Sequence, residues 1–274
     1  MEIVDIVVNL ELYTNLYFSN GADAPYKLIN GNEINVKPVL VKDYPIYDGC
    51  IDIIQLAKNE ANDIRIIQMS YLQYLMEIVL PQDNEEHVGE IKLRTLLKLC
   101  LGCEYLYFAK NNGKWNIIIC NKEGVVENLI TPRDFNDIMI IILNQNNPNY
   151  DNRIVNPEVR DVMQEYYKIK YADITQPTLE KRKAFVSSKT NKNFLEIGQM
   201  SIREFELVYR ACLDSELYLA IKITEASFKY EVKNPTNHPL FEREHDAFEE
   251  AFSDTTTLQN KGFKGAESIG IGLE

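Results

Sequence analysis

Three thiols come closest to a chemical motif in this sequence. Cys100-Leu101-Gly102-Cys103 sets two of them in CxxC spacing, and Cys120 follows beyond a short hairpin pattern. Three thiols drawn together across a hairpin could begin a metal site or a redox pair. Structural zinc, however, takes four ligands set among open polar turns. Here the pair lies in the apolar run Leu96–Phe108, with no histidine near it in sequence. A redox CxxC opens a helix that follows a strand, whereas this pair falls at a helix end. Small buried residues are the favoured reading, with metal binding and redox chemistry behind it.

A second cluster is His238, Glu242, His245 and Glu249. At spacings of three and four, Glu242, His245 and Glu249 share one helix face and could touch a divalent metal. There is no HExxH, and His238 precedes Pro239, which favours a different backbone direction. A solvated acidic helix is the favoured reading. No serine sits in a GxSxG elbow. Neither GxGxxG nor GxxxxGK[ST] occurs, and the glycines at 262, 265, 270 and 272 do not follow a strand and open a helix. Acids are too plentiful for a glycosidase pair to be picked by spacing. We assign no catalytic residue, no metal ligand and no cofactor-binding residue, and expect no cofactor.

The elements that would position any site are clearest between Glu90 and Asn146. Ile91, Leu93, Leu96, Leu97, Cys100 and Leu101 give one helix a broad apolar face. Glu104–Ala109, Lys114–Cys120 and Gly124–Glu127 read as three short strands, the first two joined at Asn111-Asn112-Gly113, where Asn-Gly supplies positive φ. Thr131 then suits an N-cap, Pro132 the first turn and Asp134 the positive helix end. The run Phe135–Leu143 predicts a helix covered on most sides.

Around this centre the pattern is weaker. Ile3–Leu10 and Leu12–Phe18 read as strand. Tyr26–Ile29 and Ile34–Val41 flank Asn30-Gly31-Asn32 as a hairpin. Ile51–Glu60 reads as a short helix, and Ser70 with Gln73 as a capping box for a helix ended by Pro81. Asn144–Asn156 reads as a surface loop and domain boundary. Helices follow from Pro157 to about Lys170, after Pro177, from Ser201 to about Tyr230, and over Leu240–Phe252. Three helix starts share one design: Met69-Ser70 with Gln73 and Tyr74, Ile130-Thr131 with Asp134 and Phe135, Met200-Ser201 with Glu204 and Phe205. Each sets a hydroxyl cap, an acid or amide three later and an aromatic four later. Repeated capping chemistry explains this better than duplication.

The expected fold is α+β, mainly helical, with a small antiparallel unit near the N-terminus and a three-strand meander inserted between helices. Expected domains are 1–147, a helical 148–252 and a weakly ordered acidic tail 253–274. The 29 basic and 41 acidic residues leave a net charge of -12. Such a surface repels a phosphate backbone, so general nucleic-acid binding is disfavoured. No window approaches a membrane span, and five cysteines without a basic signal region fit a reducing cytoplasm.

Ile130-Thr131-Pro132-Arg133-Asp134-Phe135 with the run Ile138–Asn146, Asn156-Pro157-Glu158-Val159-Arg160, and Gly198-Gln199-Met200-Ser201-Ile202-Arg203-Glu204-Phe205 together resemble tail-module proteins of phages infecting low-GC Gram-positive bacteria. These include proteins encoded where tail assembly chaperones are found. The resemblance covers residues 90–230 and implies an acidic, non-enzymatic protein that binds a tape-measure or another tail protein, or itself, in the host cytoplasm or the virion. This chain departs from such chaperones in its length and its N-terminal β unit. Two other readings stay open: a metal-dependent hydrolase of nucleic acid or phosphate esters, and a regulatory or host-takeover protein.

Overall fold

Asn30 and Gly31 close the first hairpin. The Asn30 side chain accepts from Asn32 N at 3.0 Å, Gly31 takes φ +92°, and Leu28 N donates to Asn32 O. This is the turn chemistry that those residues favour. In the computed structural model, which describes residues 9–56, 58, 63–82, 87–148, 150, 162–163, 165–166 and 177–226, the strands are β1 (Ala24–Lys27) and β2 (Glu33–Val36), paired antiparallel.

The segment before them is helical, which corrects the expected strand. Asn9 accepts from Leu12 N and starts α1, Leu10–Leu16. Leu10, Tyr13 and Tyr17, three and four apart, lean on the core, so a helical stripe prevails over the partial alternation. Ile3–Val8 lie outside the described residues. After β2 come α2 (Tyr44–Asp48) and a 3-10 turn at Ile51–Ile54, where a longer helix was expected, then α3 (Ile64–Gln68).

Ser70 caps α4 (Tyr71–Tyr74) by accepting from Gln73 N at 3.2 Å. The reciprocal half of the box is not made, and Gln73 Nε2 donates to Glu77. The helix widens into a π turn at Leu75–Val79 and tightens into a 3-10 turn at Leu80–Gln82. Pro81 therefore sits inside that last turn.

Next is α5 (Val88–Leu101), closed by Gly102 at φ +62°. Leu93, Leu96, Leu97, Cys100 and Leu101 are buried as expected, while Ile91 faces outward. A meander follows: β3 (Tyr105–Asn111), β4 (Lys114–Cys120) and β5 (Val126–Ile130), in the order β3-β4-β5. The third strand begins later than expected. The Asn121 side chain accepts from Glu123 N and Val125 N and holds Gly124 in the turn at φ +77°.

Thr131 then starts α6 (Pro132–Asn146) with a complete capping box. This helix runs through the expected loop as far as Asn146. Asn144 and Asn146 donate back to Ile140 O and Ile142 O, and Asn146 Oδ1 accepts from Val39 N at 2.8 Å.

Later come α7 (Leu179–Thr190), α8 (Phe194–Gly198) and α9 (Ile202–Glu225). The fold is thus mainly helical with a two-strand sheet and a three-strand meander. Contacts divide the chain into two units, residues 1–150 with 191–207, and 151–190 with 208–274. The first holds one continuous core around α5, α6 and the inner sides of both sheets. In the second, Phe185 meets the Tyr209 ring edge-on at 5.9 Å, Val186 is buried, and Lys189 pairs with Glu216. No described helix is long and apolar enough to cross a membrane.

Candidate functional site

Alternation along the meander sorts its side chains onto two faces. Leu106, Ile117, Ile119 and Ile130 point inward and are buried, with Phe108 and Trp115 packed beside them. The other face carries two cross-strand rows. Tyr107, Ile118 and Leu129 lie opposite one another, and so do Tyr105, Cys120 and Val126. Antiparallel sheets that face water on one side normally put polar residues there. These two rows are apolar, yet Tyr107 is 49%, Leu129 38%, Tyr105 37% and Val126 56% exposed. Beyond these two rows the same face continues with Ala109 opposite Asn116 and Asn111 opposite Lys114, and the pairing with β5 shifts register between Leu129 and Val126.

The sheet that bears this face is held from behind at both ends. At one end, the Glu77 carboxylate on the π turn accepts from Lys110 Nζ at 2.6 Å, Trp115 Nε1 at 3.0 Å and Gln73 Nε2 at 3.1 Å. The Lys110 bond is the chief reason that the Glu77 carboxyl is held below the ordinary range. At the other end, β5 runs directly into the cap of α6. Asp134, fully buried, accepts from Thr131 N and Thr131 Oγ1 on one oxygen and from Ile29 N at 3.0 Å on the other. Tyr26 donates to Asp137 at 2.8 Å beside it. Asn32 Nδ2 reaches Glu127 O and Asn128 Oδ1, tying the first hairpin to β5. Burial raises the Asp137 carboxyl above its ordinary value, and the Tyr26 bond and Arg133 pull against that shift.

Beside this face lies an open cleft of about 410 Å³, between β2 and the strand ends of the meander. Tyr105 and Cys120 border it, together with Lys37, Cys103, Lys122 and Glu127. Lys37 N donates to Cys100 O at one end of the cleft, and a Cβ on Gly102 would collide with the Lys37 side chain. Gly102 is required for its left-handed backbone at φ +62°, whereas the flexible end of Lys37 could shift aside for a Cβ.

The three candidate thiols part company. Cys100 is in the core, where burial pushes its thiol up to about 12. Cys103 and Cys120 line the cleft, and burial raises the Cys103 thiol as well. A thiol held in its protonated form is a poor nucleophile and a poor metal ligand. Among the described residues, no group of three or more His, Cys, Asp or Glu could hold a metal ion. His238, Glu242, His245 and Glu249 lie outside the described residues. The outer sheet face escapes a reading by pattern because Ile117-Ile118-Ile119 is a continuous apolar run. Such a run is ordinarily a strand covered on both sides, and its occurrence in a hairpin-joined antiparallel sheet was the available signal. No protein-family model, no curated protein and no solved structure matches the chain.

Proposed function

We propose that this chain is a non-enzymatic protein-binding protein that serves phage tail assembly as a chaperone-like or structural component. The observation that supports the binding role is the pair of exposed apolar rows on the outer face of the meander, Tyr107–Ile118–Leu129 and Tyr105–Cys120–Val126, braced from behind. Exposed contiguous apolar surface on a chain of this size marks an interaction site more often than an accident of packing. The net charge of -12 keeps a complex soluble and repels nucleic acid. The helix starts at Thr131 and Ser201 support the assignment to tail assembly through their resemblance to tail-module proteins. The partner on this reading is a tape-measure or another tail protein, met in the host cytoplasm.

The test is co-expression with candidate tail proteins, followed by mass spectrometry of intact complexes. A stoichiometric complex with one tail protein, lost when Tyr107 and Leu129 are both changed to serine, is the expected result. A monomer that captures none of them, or a complex indifferent to both substitutions, overturns the reading.

A further inference from the structure

We infer that the cleft beside the meander takes an extended peptide segment of a partner protein, which lies antiparallel along the outer edge of β2 and pairs with Glu33 and Asn35 through its backbone. The site is apart from the two apolar rows and does not depend on the tail-assembly reading. In an antiparallel pair, alternate residues turn their N–H and C=O toward the partner strand and away from it. Leu28 N donates to Asn32 O inside the hairpin at 2.8 Å. Counting on from there, Tyr26 with Ile34 and Ala24 with Val36 face each other, while Pro25, Glu33, Asn35 and Lys37 turn their groups outward. Two bonds agree with that count. Pro25 O accepts from Tyr13 Oη at 2.7 Å, and Lys37 N donates to Cys100 O at 2.6 Å.

What remains on β2 is the N–H and C=O of Glu33 and of Asn35, which have no hydrogen-bond partner among the described residues. Both residues are exposed, and both line the cleft. The other strand edges are closed in part by the chain itself. On β1, Pro25 has no N–H and its C=O is taken. On β5, Asn32 Nδ2 occupies Glu127 O. The turn at Asn112-Gly113 makes Asn111 and Lys114 a bonded pair, so Leu106 is among the β3 residues that turn outward, and it is buried. An unpaired edge is a template for another strand. An extended peptide carries N–H and C=O groups at the spacing that Glu33 and Asn35 require.

Size and side-chain chemistry specify the segment further. A residue of sheet, at about 3.4 Å of rise, 4.8 Å between strands and 10 Å of thickness, fills about 160 Å³. The cleft of about 410 Å³ therefore holds about two to three residues, which matches the run Glu33–Ile34–Asn35. Alternation turns the residue opposite Ile34 inward, where Leu101 and Ile119 line the cleft, so that residue is apolar. The residue opposite Glu33 shares the outer side with its carboxylate, and a basic side chain suits it. Glu33, Glu104 and Glu127 against Lys37 and Lys122 leave the cleft one negative charge, which a single lysine neutralises.

The test uses the full chain and a fluorescent seven-residue peptide in which threonine, valine and lysine, in that order, stand between pairs of serines. Antiparallel to β2, these three fall opposite Asn35, Ile34 and Glu33. The threonine and lysine N–H groups then face β2, and the valine N–H faces away. In anisotropy titrations, N-methylation at lysine should weaken binding about tenfold or more, and N-methylation at valine far less. Asn35→Pro removes an N–H that faces the cleft and no bond to β1, where Pro25 already stands opposite. It should weaken the unmethylated peptide about tenfold or more, with an unchanged melting temperature.

Equal binding of the two methylated peptides would mean that the backbone is not read in this register, and it overturns the inference. No binding of the unmethylated peptide overturns it too, as does equal binding to wild type and a folded Asn35→Pro. If Asn35→Pro does not fold, the two methylated peptides on the wild-type chain decide. None of these results touches the apolar rows, whose reading is tested separately on Tyr107 and Leu129.

Discussion

Ile117 and Ile118 are neighbours in β4, and the fold treats them as opposites. Ile117 lies between Phe108 and Ile130 with no exposed surface, inside a core that also holds Leu97, Ile138 and Ile142. Ile118, half-buried, lies between the exposed Tyr107 and Leu129 on the other face. The two rows have the same chemistry and strand geometry. What separates them is that α5 and α6 pack on one side of the sheet only.

The widest expected separation is in stability. Ile117→Ala should cost about 2–5 kcal/mol, read from denaturant unfolding. Ile118→Ala should cost about 1 kcal/mol or less. Equal costs would mean that the outer row is covered in solution, and the comparison would collapse.

The next largest effect concerns what holds the inner side in place. Asp134→Ala removes the acceptor for Ile29 N, Thr131 N and Thr131 Oγ1, three part-buried bonds that meet at one fully buried carboxylate. The loss should be about 3 kcal/mol, measured in the same way. A loss no greater than that of an ordinary surface substitution would show that the cap does not anchor the sheet.

Smaller again are the caps themselves. Thr131→Ala should cost about 1 kcal/mol, and Ser70→Ala and Ser201→Ala about the same or less. Thr131 belongs to a complete capping box and to the Asp134 node, so its loss should be the largest of the three. A thermal shift series on the three variants tests that ranking.

The smallest effects are in the pH dependence, where two carboxyls behind the sheet act with opposite sign. Glu77, lowered from 4.5, contributes stability that is complete above 4.5 and is lost as pH falls through its depressed folded value. Asp137, raised from 3.8, contributes most below 3.8 and loses that contribution as pH rises through its elevated folded value. Urea midpoints followed from acid to neutrality should show Glu77→Gln flattening the rise in stability with pH. Asp137→Asn should instead remove a fall. Slopes of the same sign in the two variants would contradict the environments described for them.

Much of the framework was legible before the fold. The caps at Ser70, Thr131 and Ser201 all form, and the aromatic residue four positions on is buried each time: Tyr74, Phe135 and Phe205. The Asn-Gly turns at 30–31 and 112–113 hold positive φ where glycine was expected. The misread segments are those where a distant partner decides. Leu10–Leu16 is helical because its stripe finds a core to lean on. Asn144 and Asn146 stay in α6 because their amides bond within the helix and Val39 N reaches Asn146. The apolar setting of the thiol motif predicts buried small residues; the fold sends Cys100 into the core and Cys103 to the cleft.

What the sequence determined by itself was therefore local: turns, caps, the position of the meander and the acidic charge. These rest on interactions between residues a few positions apart, and the composition carries them directly. Only the tertiary structure decided which side of the meander would be covered. That choice depends on helices joining from more than ten residues away on either side, and nothing in Ile117-Ile118-Ile119 distinguishes the isoleucine that faces water from the two that do not.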